Sequence, residues 1–321
     1  MGPVRQPICY PNHIQFSSFL LRRLERPTSV QRSESPGKQI LFGCVLTAVG
    51  AADLAGYIPS IADYAYGIVW WGVLLLVDAW NTDRRGMSLW RGHAAHFLTI
   101  TAPVSVVVWL FFEALNFPSP QWRYRGDIPG LWGKVLFGFI AFSTVVPIMV
   151  ESWWLIAGKQ RAPAGLLGWS RRFRWILLAA AVTFAVVPFV NGVFWFNQGI
   201  WLIPALVLLP LVRAESCSWA EFARALVISG LLAGLAWEAF NWPARTHWEY
   251  LILTDAPHLF YMPLPGYLGF VPFALSMLAV YGWCRSLRPG LWLGALLYAV
   301  AIGGLYWLTV LYVARGIWVD R

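Results

Sequence analysis

Two glutamates stand inside strongly apolar stretches of this chain, and each is followed three residues later by an asparagine and five later by a proline. They are Glu113, Asn116 and Pro118 in Phe-Phe-Glu-Ala-Leu-Asn-Phe-Pro, and Glu238, Asn241 and Pro243 in Ala-Trp-Glu-Ala-Phe-Asn-Trp-Pro. A charge in hydrocarbon costs a few kcal/mol or more, so an intramembrane carboxylate is a functional-site candidate by default. Two such groups close together titrate apart, one protonated and one ionised, which suits proton donation and acceptance. Glu113 and Glu238 are therefore read as a candidate catalytic pair meeting at a pseudo-twofold axis. Asn116 and Asn241, on the same helix faces at i+3, are read as their substrate-binding neighbours. The local alternative is that Glu and Asn satisfy backbone groups freed where the proline stops the helix, or lock two halves of the molecule together.

The segment after each acid repeats as well. Trp122-Arg-Tyr124 follows the first, and Trp248-Glu-Tyr250 follows the second, one residue further along. These aromatics are read as a lid over a pocket, with Trp122, Tyr124, His247, Trp248 and Tyr250 touching substrate; the alternative is an interfacial aromatic belt. The second loop is longer and richer, adding Arg245, Glu249, Asp255 and His258. His247 and His258 lack the tight spacing of a metal motif, so no metal site is expected. Glu151, four residues after Pro147, is a further substrate-binding candidate, and its counterpart four residues after Pro272 is Ser276. Asp53 is an intramembrane acid without a repeat partner. His93 and His96 are read as interfacial.

Both motifs belong to a longer repeat. A constant offset of 125 residues also maps Gly67 and Trp70 onto Gly192 and Trp195, Phe97 onto Phe222, and Pro147 onto Pro272. One offset over so long a stretch implies duplication of a whole structural unit.

The elements that must position these residues are membrane helices. The chain is 59% hydrophobic and 12% charged, against about 25% charged in soluble domains, and its mean hydropathy is +0.59. With about 20 residues needed per span, nine spans are expected, near 40–58, 63–80, 93–117, 131–157, 175–191, 193–212, 220–242, 265–284 and 290–314. The division is a basic cytoplasmic tail over 1–39, read as disordered with a short interfacial helix near Ile14 to Leu24. A first four-helix repeat follows over 40–157, then a basic linker over 158–174, a second repeat over 175–284 and a ninth helix over 290–314. The connections expected on one side carry eighteen Lys and Arg, tail included, and those on the other carry five. The positive-inside bias then places the N-terminus in the cytoplasm and the C-terminus outside, as in a bacterial inner membrane. Four spans per half insert both halves in the same orientation, a parallel duplication.

The net charge of +9 is read as topology control, so no nucleic-acid partner is expected. Cys9, Cys44, Cys217 and Cys284 form neither a disulfide framework nor a zinc motif. Nucleotide-binding loops, nucleophile elbows and metalloprotease motifs do not occur, and the sequence names no cofactor.

The run Met262-Pro-Leu-Pro-Gly-Tyr-Leu-Gly-Phe-Val-Pro272, with the Glu…Trp-x-Tyr arrangement, resembles uncharacterised bacterial polytopic membrane proteins over most of residues 60–284. That likeness implies a polytopic helical fold and no activity. More loosely, Trp-x-Tyr followed by a proline and an acid within an apolar span is similar to the membrane lycopene cyclase domain. Such cyclases protonate an isoprenoid chain with intramembrane carboxylates. The matching positions are Trp122, Tyr124, Pro147 and Glu151, although that family carries Pro-x-Glu-Glu where this chain has Pro147-Ile-Met-Val-Glu151. The similarity implies an apolar, isoprenoid-like substrate.

The expectation is an all-α polytopic bundle that binds or transforms a lipid or isoprenoid-like molecule in an outward-facing aromatic pocket, with membrane lipids around it. Two alternatives stay open: a proton- or cation-coupled transporter or channel, and a structural subunit of a membrane complex.

Overall fold

The computed structural model describes residues 37–190 and 198–320. The expected disordered tail, its helix near Ile14 to Leu24, and the repeat positions Gly192 and Trp195 lie outside the described residues, as does the boundary at Asn191 between the fifth and sixth spans.

The described chain is all-α, with short strands in its connections. Seven helices among the described residues are long and apolar enough to cross a membrane: Gly37–Leu54, Ala62–Arg85, Ala94–Asn116, Gly130–Ala157, Trp219–Asn241, Leu264–Cys284 and Leu291–Arg315. This is an integral membrane protein. Each of the seven falls on an expected span. The other two expected spans fall on shorter apolar helices among the described residues: one over Arg174–Val190, and a broken stretch over Gln198–Leu211. The break has a local cause. Pro204 and Pro210 each sit in the first turn of a new short helix, where a missing N–H is tolerated.

The regular helices are α1 (Gly37–Leu54), α2 (Ala65–Arg85), α3 (Ala102–Asn116), α4 (Gly130–Phe142), α5 (Val145–Ala157), α6 (Ala164–Arg172), α7 (Arg174–Val190), α8 (Ile203–Leu208), α9 (Trp219–Asn241), α10 (Phe270–Cys284) and α11 (Leu291–Arg315). The turn before α3 widens into a π-helix over Phe97–Thr101; Pro103, which cannot donate to the carbonyl four residues back, begins just beyond it. The fourth span breaks between α4 and α5. Ser105 on α3 bridges that break, donating to the Phe142 carbonyl at 2.6 Å and accepting from the Val146 N–H at 3.0 Å. A helix break inside a membrane thus keeps its backbone groups paired, as burial in hydrocarbon requires.

Large apolar side chains are exposed on α1 (Leu41, Phe42), α7 (Trp175, Val190) and α11 (Trp292, Leu296), the surfaces a lipid phase would cover.

The connections expected to be loops contain a small sheet. Strand β1 (Trp122–Arg125) pairs antiparallel with β2 (His247–Tyr250), with Trp122 opposite Tyr250 and Tyr124 opposite Trp248. The far end of the chain, β5 (Trp318–Val319), pairs parallel with β1. The segments after α3, α9 and α11 are therefore joined at one end of the bundle. A second hairpin pairs β3 (His258–Leu259) with β4 (Met262–Pro263). At other connections, Arg161 reaches Glu221 at 3.1 Å and Arg85 donates to the Leu155 carbonyl at 2.9 Å. The basic linker holds α6 and is not simply extended.

Candidate functional site

Alternate residues of a strand face the same side. In β1 this aims both Trp122 and Tyr124 at the end of α3, where Glu113 is fully buried. The Trp122 indole N–H donates to Glu113 Oε2 at 3.1 Å, and the Tyr124 hydroxyl makes a very short hydrogen bond to Oε1. Trp109, one turn earlier on α3, donates to Oε1 at 2.6 Å. Tyr312 of α11 places its hydroxyl 2.6 Å from Oε2. Four side chains surround this carboxyl.

Glu238 is equally buried at the end of α9. Tyr250 of β2 donates to its Oε1 at 2.7 Å, and the Trp248 indole N–H donates to the Tyr250 hydroxyl at 3.1 Å. Its second oxygen, Oε2, has no hydrogen-bond partner in the protein. The Trp-x-Tyr motif is thus a clasp that returns each connecting strand to the acid before it.

The asparagines hold the same connections by their backbone. Asn116 accepts from the Gln121 N–H at 2.7 Å and donates to the Trp122 carbonyl at 3.0 Å. Asn241 accepts from the Trp248 N–H at 3.0 Å and donates to the Trp248 carbonyl at 2.9 Å. The amides of Asn116 and Asn241 thus hold the backbone of the segments that follow α3 and α9.

The two carboxyls do not hydrogen-bond each other. Helices α3 and α9 instead meet through rings, with Trp109 and Trp237 at 5.4 Å between centroids. Beside them lies a cavity with about 110 Å³ open to the centres of water-sized molecules. That is several times the roughly 10–15 Å³ that one water needs. Trp109 and Trp122 line it from the first half, and Trp201, Trp237, Glu238, Trp248, Tyr250, Met262, Phe270 and Phe273 from the second. At its wall, Gln198 donates to Gln121 at 3.2 Å. Trp122, Trp248 and Tyr250 of the two aromatic segments line this cavity with Glu238, while Glu113 is not among its lining residues.

The remaining candidates sit elsewhere. His247 is buried against Ala244 and stacks on Tyr261 at 4.8 Å. His258 is exposed in β3. No cluster of metal-ligating side chains occurs among the described residues. Glu151 is buried on α5 and receives the Asn81 amide of α2 at 2.6 Å. Nearby, Asp78 holds the turn after α2 by accepting from Ser88 at 2.8 Å and from the Leu89 N–H at 2.6 Å. The hydrogen-bond partner of Glu151 is thus Asn81, while Trp122 and Tyr124 bond to Glu113. His96 faces the Cys284 carbonyl at 3.1 Å. Asp53 is buried on α1 with both oxygens unpartnered.

Two participants were not anticipated. Trp109 carried a signal, since it stands four residues before Glu113 on one helix face. Tyr312 carried none, because only tertiary packing of α11 on α3 delivers it.

Outside the strands' buried face, Glu249 accepts from Arg123 at 2.9 Å and Arg125 at 2.8 Å. Burial alone would raise its carboxyl, but the hydrogen bonds from Arg125 and Arg123 outweigh this and hold it below the usual range.

Compared with family models, with curated proteins and with solved structures, the chain gives no match.

Proposed function

We propose that the protein binds an apolar, lipid- or isoprenoid-like molecule in the aromatic cavity beneath β1 and β2. The observation that carries this reading is the cavity's lining: aromatic and aliphatic walls with one buried carboxylate, Glu238, among them. Ligand sites are mostly apolar with a few placed polar groups. In this reading Glu113 is a wall-builder, fixing Trp109 and Trp122.

The same reading includes a tandem duplication with both halves in one orientation. Support comes from the paired Glu–Asn–Trp-x-Tyr contacts, in which Tyr124 reaches Glu113 and Tyr250 reaches Glu238. Shorter helices over 174–190 and 198–211 complete nine spans. The loop charges place the N-terminus in the cytoplasm and the cavity on the outer side.

The test is mass spectrometry of apolar molecules that co-purify with the protein in mild detergent. Gly269→Leu serves as the blocked control. A Cβ at Gly269 meets nothing closer than Trp201 at 3.8 Å, and the residue lines the cavity, so leucine fills it without forcing the backbone. The reading requires one enriched species in the wild type that is depleted in Gly269→Leu. Identical, bulk-like lipid profiles in both would refute it.

A further inference from the structure

The two clasps are not equivalent, and the difference lies at identifiable positions. At the 125-residue offset, Trp109 corresponds to Gly234. The first copy therefore has an indole donor on its carboxyl where the second has no side chain. The second donor lost is Tyr312, which comes from α11, the helix outside the repeat. At Glu113, Trp109 donates to Oε1, while Tyr312 and the Trp122 indole close Oε2; in the second copy the matching indole, Trp248, donates to the Tyr250 hydroxyl instead. Glu238, without the contacts that close Oε2 at Glu113, keeps that oxygen buried and unpartnered, on a residue that lines the cavity.

A buried carboxyl oxygen without a partner is costly, and buried polar groups are otherwise almost always paired. Whatever enters the cavity must therefore present a complementary polar group at Glu238 Oε2. A hydroxyl both donates and accepts, so it pairs with a carboxyl in either protonation state, whereas an ammonium suits only the ionised form. The walls around this point are indole and phenyl rings, which accommodate a hydrocarbon body.

Resting on the proposed cavity function, we infer that the ligand is an apolar chain ending in a hydroxyl group, held at Glu238 Oε2, the oxygen whose counterpart on Glu113 is closed by Trp122 and Tyr312. The first copy is a self-closed version of the site, and the second is the ligand-accepting one.

The experiment uses the full protein in lipid nanodiscs and reads tryptophan fluorescence, since several indoles line the cavity. The probes are farnesol, hexadecan-1-ol, the hydrocarbons of matching skeleton, and hexadecylamine, each compared at equal mole fraction in the bilayer. Wild-type protein should bind at least one alcohol about tenfold tighter than its hydrocarbon, the effect of about 1.4 kcal/mol. In Glu238→Leu that preference should fall to near unity while hydrocarbon binding persists. Glu238→Gln, which can still pair with a hydroxyl, should keep most of it. Preference for farnesol assigns an isoprenoid source, and preference for hexadecanol a straight-chain one. Equal binding of alcohol and hydrocarbon by the wild type would overturn the hydroxyl assignment and leave the cavity function standing. Tighter binding of the amine than of the alcohol would overturn it in favour of a cation. Binding of no probe would overturn both.

Discussion

Replacing each glutamate by leucine should have unequal consequences for stability. Glu113→Leu strands the indole N–H groups of Trp109 and Trp122 and the hydroxyl of Tyr124 within a buried cluster, while Tyr312 keeps its bond to the Glu113 backbone carbonyl at 2.7 Å. Leaving a buried donor unsatisfied costs about 1–3 kcal/mol. Partial relaxation and shared donors make the total less than additive, so a loss of about 3–5 kcal/mol is expected, the range seen when one partner of a buried polar set is removed. Glu238→Leu strands only the Tyr250 hydroxyl and removes an oxygen that had no partner. Its expected cost is about 1–2 kcal/mol. The assay is thermal unfolding of the two variants and wild type in one detergent, followed by intrinsic fluorescence and by aggregation onset. The midpoint for Glu113→Leu should lie clearly below that for Glu238→Leu. Equal midpoints, or a lower one for Glu238→Leu, would refute the distinction between a closed and an open clasp.

Other expectations follow from the connections and the loop charges. Asn116→Ala and Asn241→Ala should each cost about 2 kcal/mol, by freeing backbone groups at Gln121 and Trp122 or at Trp248, and should speed limited proteolysis of the adjoining segment. Glu249 has a depressed folded-state value, so its contribution is complete above the unfolded value of roughly 4.3 and is lost as pH falls through the lower folded one. Acidification through that window should loosen β1–β2, read by protease sensitivity, and Glu249→Gln should be loose already at neutral pH. For topology, a cysteine at exposed Asp255 should react with an impermeant reagent on intact cells and one at exposed Asp83 should not; the opposite pattern would invert the orientation.

Much of the frame was legible because bilayer physics leaves few choices. Apolar runs of sufficient length mark seven helices to within a few residues, and the Glu–Asn–Pro and Trp-x-Tyr repeats point to the residues that meet at the ends of α3 and α9. The sheet was not legible. Four-residue strands such as Trp122–Arg125 lack length for a period-2 signal, and their pairing depends on which helix ends are neighbours. The asymmetry between the copies was half visible: Gly234 opposite Trp109 can be read from the offset, while Tyr312 reaches Glu113 only through packing. Glu151 illustrates the opposite case. Its apolar context flagged it correctly as buried, but the partner, Asn81, lies 70 positions away and in a different part of the bundle from the cavity. The sixth span, expected over 193–212 with a bend at Pro204 and Pro210, is broken at those prolines among the described residues, because each restarts a short helix.

The central claim is that an apolar molecule occupies the cavity beside Glu238. Photolabelling with a long-chain alkyl diazirine, followed by peptide mass spectrometry, tests this most directly. Adducts on Trp201, Trp237, Met262 and Phe270, suppressed in Gly269→Leu, are the expected result. Adducts confined to lipid-facing positions such as Trp292 and Leu296, with none on the cavity wall, would contradict it.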